Sequence, residues 1–531
     1  MMKIKRRATL RHPLIITEAT IVVLACATVD ALAAAPARIE VRPAEEIGPV
    51  NRQILGAAIC AAKGRRYEGV YADRGSGVWN PVQRRPVPEF VAITKQAGIG
   101  AWRWAPGKEA KWKPFVGPVG ERPYKFGLPE FLRFCEETDA VPIILLDVYR
   151  STAADAADLV EYLNSPDGGK NVNDGTDWAA VRAADGHPAP YDVVWFECGN
   201  ESYVNAGKWI KELGVNGYGG LAEEYARRYL RFRAAMKAVD PRIKLGANIQ
   251  HTIDPWNRPI LRVAGKQIDF GIDHPYSPGF TGKATPEMSR HIMEACVARG
   301  APLQKLYDDL DRVIEEETGR TDMPRAVTEY NALLTQQKPV PYRFTLGNAL
   351  GTAEHIRVMM RPCNRIALAT FWNFANEFWG IVRGYPHRGE RPVKQAPYYV
   401  FQLYHEHFGD TLIASQVSCG RWDFQGGYGV PAQSVPDLTV NTAKRTDGTI
   451  TLMIVNTNLD TDTETTIVVE NRKPDGDTRA VARSLVGPTP LSTNLGVELD
   501  VKVIETAIRP VASGWRITLP KHSLTAAEIH P

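Results

Sequence analysis

Two segments of this 531-residue chain end apolar runs in carboxylates. Val194-Trp-Phe-Glu-Cys-Gly-Asn-Glu201 closes on Asn200 and Glu201, and Ala326-Val-Thr-Glu-Tyr-Asn331 carries Glu329. A charge in such a place is costly unless it is paired or faces water. Two carboxylates facing each other across one mouth are what glycoside cleavage needs. One, kept protonated, donates to the leaving oxygen, and the other attacks the anomeric carbon and carries the sugar as an ester. A retaining pair would stand ~5–5.5 Å apart and an inverting pair ~6.5–9.5 Å apart.

Other residues suit the same mouth. Asn200 is placed to bind a sugar hydroxyl, and Tyr276 to donate a hydrogen bond to the attacking carboxylate. His274 is a candidate for binding a hydroxyl or orienting the acid. Arg103 is a candidate bridge to the nucleophile, where its charge would lower the carboxyl pKa. Trp104 or Trp112 would stack on a sugar face or serve as core. Trp372, Phe374 and Trp379 read equally as pocket walls or as packing, and Glu377 after Asn376 is a competing acid. Two carboxylates suffice for this chemistry, so no metal or organic cofactor is expected.

The elements that must position these groups alternate. Short apolar runs at 54–59, 99–104, 141–146, 193–198, 243–248, 268–274, 326–330 and 366–372 read as strands buried on both faces. Helical periodicity occupies 128–138, 153–163, 221–239 and 346–360. Eight such strands make a (β/α)8 TIM barrel, an α/β fold, whose chemistry sits at the C-terminal strand ends. A doubly wound sheet is the competitor, but no Gly-rich phosphate loop follows the first strand. After about residue 408 the texture changes. Strand-like segments at 439–442, 450–456, 464–470, 501–507 and 515–519, separated by Asp, Gly and Asn turns, predict an all-β sandwich. The expected division is a signal peptide over 1–33, a strand at 34–48 joining the sandwich, a barrel over 49–408 and a jelly-roll-like sandwich over 409–531.

Composition narrows the class. The chain is 23% charged and 44% hydrophobic, as in ordinary globular proteins. Its net charge is +4, of which residues 1–33 carry +3, from Lys3, Lys5, Arg6, Arg7 and Arg11 against Glu18 and Asp30. The nearly neutral remainder argues against a nucleic-acid partner. No internal run is long enough for a membrane span. The basic start, the apolar run over 21–27 and Ala31-Leu-Ala33 follow the order of a bacterial secretory signal, predicting a secreted or periplasmic protein. The seven cysteines show no zinc spacing, and one disulfide is compatible with export.

A resemblance accompanies this reading. Gly186-His-Pro-Ala-Pro-Tyr191 with Trp195-Phe-Glu-Cys-Gly-Asn-Glu201 is similar to the G-H-x-x-P-Y…W-E-x-G-N-E run of glycoside hydrolase family 51, the α-L-arabinofuranosidases. Glu161-Tyr-Leu-Asn164, Arg103-Trp-Ala-Pro-Gly107, Gly117–Pro123, His274-Pro-Tyr276 and Glu329-Tyr-Asn331 resemble further motifs of that family, over roughly residues 38–531. The resemblance implies Glu201 as acid/base, Glu329 as nucleophile, and Asn200 and Tyr276 as supports. Two departures mark the sugar end of the pocket. Lys108 stands where the family has Gly, and Ile59-Cys-Ala-Ala-Lys63 lacks the acidic residue expected after strand one.

The expected function is a retaining, exo-acting α-L-arabinofuranosidase on polysaccharide side chains. The same mechanism on another glycan is the alternative: a β-xylosidase, β-glucuronidase, galactofuranosidase or endo-β-glucanase. Lys63, Arg65, Arg66 and Lys108 would suit an acidic sugar. A non-catalytic carbohydrate-binding barrel is the reading from a different class. The expected partner is an oligo- or polysaccharide, and a homo-oligomer is open by analogy.

Overall fold

A computed structural model describes residues 36–60, 72–106, 111–250, 254–474 and 479–531. The expected signal peptide, Lys63, Arg65, Arg66 and Lys108 lie outside the described residues. Eight parallel strands follow one another around a closed barrel: Gly56–Cys60, Ala101–Ala105, Val141–Leu146, Trp195–Cys198, Lys244–Asn248, Phe270–Asp273, Arg325–Leu334 and Ile366–Phe371. Closure comes from Thr370 and Phe371 of the eighth strand pairing with Gly56 and Ala57 of the first. The chain is an α/β barrel, as the spacing of its apolar runs predicts.

The barrel interior is layered. Ala101, Ile143, Phe270, Ile272, Ala326 and Leu368, with Trp195, form one buried cluster drawn from six strands, an arrangement only the lumen permits. Strand side chains alternate with a period of two. Two residues further along, toward the C-terminal strand ends, stand Arg103, Glu197, His274, Thr328 and Thr370, with Leu145 the one apolar member, so a mainly polar layer rests directly on an apolar one. The intervening Trp102, Trp104, Phe196, Cys198 and Val327 face outward into the large core beneath the helices.

Helices that the periodicity predicts occur at Leu128–Glu137, Ala153–Asn164, Gly217–Val239 and Leu346–Met359. Further helices lie outside those stretches, among them Pro88–Ala97, Pro286–Ala298 and Gly300–Thr318. Leu346–Met359 is buried along its whole length because the C-terminal sheet covers the side the barrel does not.

The C-terminal strands form one continuous ten-stranded sheet rather than two separate sheets. Its two edge strands, Lys502–Thr506 and Ile508–Val511, are separated by Ala507 alone. The sheet must therefore curl until its edges approach, and it encloses a core of Ile39, Leu452, Ile454, Ile467, Trp515 and Leu519. Ala37–Pro49 enters this sheet antiparallel to Thr411–Ser418 and parallel to Thr463–Val469. Ala37, Ile39 and Val41 turn inward while Glu40 faces water. The cysteines Cys135, Cys198, Cys296, Cys363 and Cys419 are free thiols.

The last barrel helix, Ala396–His407, packs on the final strand, Ser523–Ile529. Glu528 of that strand accepts from His407 at 3.0 Å and from Arg445 at 2.8 Å. Burial works against its charge, but the His407 hydrogen bond and Arg445 hold its carboxyl down to about 2. A depressed carboxyl stabilises the fold above its unfolded pKa of ~4.3, and this contribution fades as pH falls toward 2. Glu528→Gln is expected to cost ~1–3 kcal/mol at pH 7 in denaturant titrations. The difference from the wild type should shrink below about pH 4.5. A pH-independent difference would reject the assignment.

Candidate active site

Arg103, from the second strand, sits fully buried in the polar layer. Its Nε and Nη2 donate side-on to both oxygens of Glu197 at 2.7 and 2.9 Å. Nη1 donates to Glu329 at 2.6 Å, and Nη2 also reaches Oδ1 of Asn200 at 2.6 Å. A guanidinium only donates, so these contacts orient the Asn200 amide with its NH2 turned away. Burial alone would lower the Arg103 pKa, but Glu197 and Glu329 outweigh it and raise it above its ordinary value. Glu197 is likewise fully buried, yet Arg103 and His274 hold its carboxyl below the usual range.

Glu329 belongs to the seventh strand, where strict alternation would point it away from Thr328. The ladder to the eighth strand is irregular between Val327 and Tyr330. Such a bulge re-aims side chains, and here Thr328 and Glu329 both address the mouth. One Glu329 oxygen takes Arg103, and the other accepts from the Tyr276 hydroxyl at 2.5 Å. Tyr276 opens the strand Tyr276–Phe280, which pairs with the end of the seventh barrel strand.

Glu201 lies three residues beyond the fourth strand in a left-handed backbone conformation, φ 44°. Its side chain is 17% exposed against 10% for Glu329. His274 Nδ1 approaches Glu201 at 3.3 Å, and its Nε2 lies 2.9 Å from the Thr328 hydroxyl. Burial opposes a charge on His274, but Glu329, Glu197 and Glu201 outweigh it and push its pKa up to about 10. One donor atom each of Glu201, His274 and Glu329 lie within 4.8 Å of one another. The three are close enough to share a metal ion, and Arg103 already holds one oxygen of Glu329.

Of the residues singled out in the sequence, Glu201, Glu329, Asn200, Tyr276, His274 and Arg103 meet here. Trp104 does not. It is fully buried against Phe115, Phe126 and Phe131, so the expectation that it stacks on a sugar is corrected. Alternation explains this, because residue 104 faces the helices when residue 103 faces the lumen. Trp112 is core too, donating to the Asp155 carbonyl and packing on Trp178. Phe374 and Trp379 are buried. Trp372, just past the eighth strand, is half-buried and keeps accessible surface. Glu377 ties two loops together, accepting from Ser76 at 2.7 Å and Asn373 at 3.0 Å.

Two residues of the site escaped the sequence reading, Glu197 and Thr328. The signal for Glu197 was a carboxylate inside a strand otherwise buried on both faces. A small cleft lined by Tyr149, Asn205 and Trp209 opens beside Asn200 and Glu201.

The α-L-arabinofuranosidase 1 domain matches residues 94–279, and the α-L-arabinofuranosidase C-terminal domain matches residues 328–523. The chain is a family 51-like glycoside hydrolase. An exo-α-(1→6)-L-arabinofuranosidase of Bifidobacterium longum is 22% identical over 453 residues, covering 77% of this chain and 81% of that protein. An α-L-arabinofuranosidase C of Emericella nidulans is 23% identical over 473 residues, covering 84% of each. The crystal structure of α-L-arabinofuranosidase from Thermotoga maritima in complex with arabinose superposes with TM-score 0.75 at 22% identity, covering 93% of this chain and all of that one. In this family 51-like enzyme the polar layer thus lies on a fold it shares with solved arabinofuranosidases.

The two tryptophans separate under mutation. Trp104→Ala should destabilise the enzyme by ~3–5 kcal/mol, as for a large buried aromatic. Trp372→Ala should leave the melting temperature within a few degrees and raise KM on glycosides. Equal melting losses for both would place Trp372 in the core.

Proposed function

We propose that this enzyme is a retaining, exo-acting α-L-arabinofuranosidase with Glu201 as general acid/base and Glu329 as nucleophile. The observation that carries the reading is the pairing of these carboxylates at one mouth, with donor atoms within 4.8 Å. So close an approach favours the ~5–5.5 Å carboxyl separation of a retaining pair over the ~6.5–9.5 Å that leaves room for an attacking water. The arabinofuranosidase names of the relatives support the sugar.

In the first step a Glu329 oxygen attacks the anomeric carbon while Glu201 gives its proton to the departing glycosidic oxygen. The bond to the leaving group breaks and a glycosyl ester forms on Glu329. Arg103 and Tyr276 hold the attacking carboxylate at one oxygen each. Their bonds weaken as charge leaves Glu329 and strengthen again when water, deprotonated by Glu201, cleaves the ester. Asn200 offers its free NH2 to a sugar hydroxyl, and Trp372 offers a face to the ring. The order of basic, apolar and small residues over 1–33 supports export, with a mature chain beginning near Ala34.

The test is release of nitrophenol from aryl glycosides of α-L-arabinofuranose, β-D-galactofuranose, β-D-xylose, β-D-glucose and β-D-glucuronic acid. Release from the arabinofuranoside is expected, with proton NMR showing the substrate's own anomer as first product. Glu329→Ala should abolish turnover, and Glu201→Ala should cost ~100-fold or more on substrates with poor leaving groups. Inversion would overturn the mechanism, and release from a different sugar would reassign the pocket.

A further inference from the structure

Glu197 is a buried carboxylate that the proposed reaction does not itself use. Its two oxygens serve two different partners. Both take the guanidinium of Arg103, whose remaining donors hold Glu329 and Asn200. Oε1 also accepts from the Thr328 hydroxyl at 3.1 Å. Thr328 has one hydroxyl proton, and an ionised carboxylate cannot donate, so that proton goes to Glu197. The Thr328 oxygen can then only accept from His274, 2.9 Å away. The proton on Nε2 of His274 is thereby fixed. Nδ1, facing Glu201 at 3.3 Å, is left as the ring position through which His274 can exchange a proton with the acid/base.

We infer that Glu197 is the positioning residue that couples the two halves of the site, clamping the nucleophile through Arg103 and fixing the His274 ring through Thr328. The inference rests on the assignment of Glu201 and Glu329 proposed above. One arm, Glu197–Arg103–Glu329, places the attacking oxygen. The other arm, Glu197–Thr328–His274–Glu201, aims a ring nitrogen at the acid. The charged groups around His274 are Glu197, Glu201, Glu329 and Arg103. Of these, Glu197 hydrogen-bonds into both arms and also lies 3.7 Å from His274 Nε2, while Glu329 of the first arm approaches His274 Nδ1 at 4.0 Å.

The arms can be cut separately. Thr328→Val is close to isosteric and removes only the second arm. It should lower kcat/KM roughly 10- to 100-fold on glycosides with poor leaving groups, which need the acid. It should change little on dinitrophenyl glycosides, which do not, and it should shift the alkaline limb of the pH profile. Thr328→Ser should restore both. Glu197→Gln cuts both arms and should lower kcat/KM on good and poor leaving groups alike. Wild-type enzyme inactive on every glycoside would overturn the assignment of function. An active wild type with Thr328→Val losing rate equally on both leaving groups, or keeping the wild-type pH profile, would overturn this inference alone. If Glu197→Gln does not fold, the leaving-group split in Thr328→Val and its rescue by serine still decide.

Discussion

A single buried cation organises this molecule's working end. Arg103 lies in the barrel lumen with no exposed surface. An unpaired charge there would be prohibitive, and even a paired one costs several kcal/mol in desolvation. The geometry compensates with two carboxylates and an amide oxygen, all at 2.6–2.9 Å. Removing any of these leaves a buried charge short of partners, so Glu197, Glu329 and Asn200 are held by the same requirement. Positioning of the reactive groups is thus a by-product of satisfying one guanidinium.

The barrel makes that arrangement affordable through layering. An apolar floor of Ala101, Ile143, Ile272, Ala326 and Leu368 closes the lumen from below. The next tier on the same strands is polar, and its members face each other across a narrow space that excludes bulk water. Low local polarisability strengthens each contact among them. In the same space Glu329, Glu197 and Glu201 outweigh the burial of His274 and push its pKa up to about 10.

The C-terminal sheet contributes from outside. It curls around its own apolar core and borrows the strand Ala37–Pro49, so the first described segment of the chain is stitched to the last. It also covers the helix Leu346–Met359 that follows the nucleophile strand. Glu528 fastens the final strand to the last barrel helix through His407.

Much of this was legible in the residues alone. Runs of four to eight apolar residues can be read as doubly buried strands because burial on both faces removes the need for alternation. A charged or polar side chain at the end of such a run stands out for the same reason, which is why Glu201, Glu329, Tyr276, His274 and Arg103 could be named. What the sequence could not decide was orientation. Trp104 and Arg103 are neighbours, and only closure of the barrel determined that the arginine faces the lumen and the tryptophan the helices. Glu329 needed a bulge to turn inward beside Thr328, and a bulge leaves no compositional trace. The role of Glu197 depends on partners 94 and 131 residues away, Arg103 and Thr328. Local chemistry selects which residues can react, but long-range strand pairing brings them within hydrogen-bonding distance, and that register exists only in the folded chain.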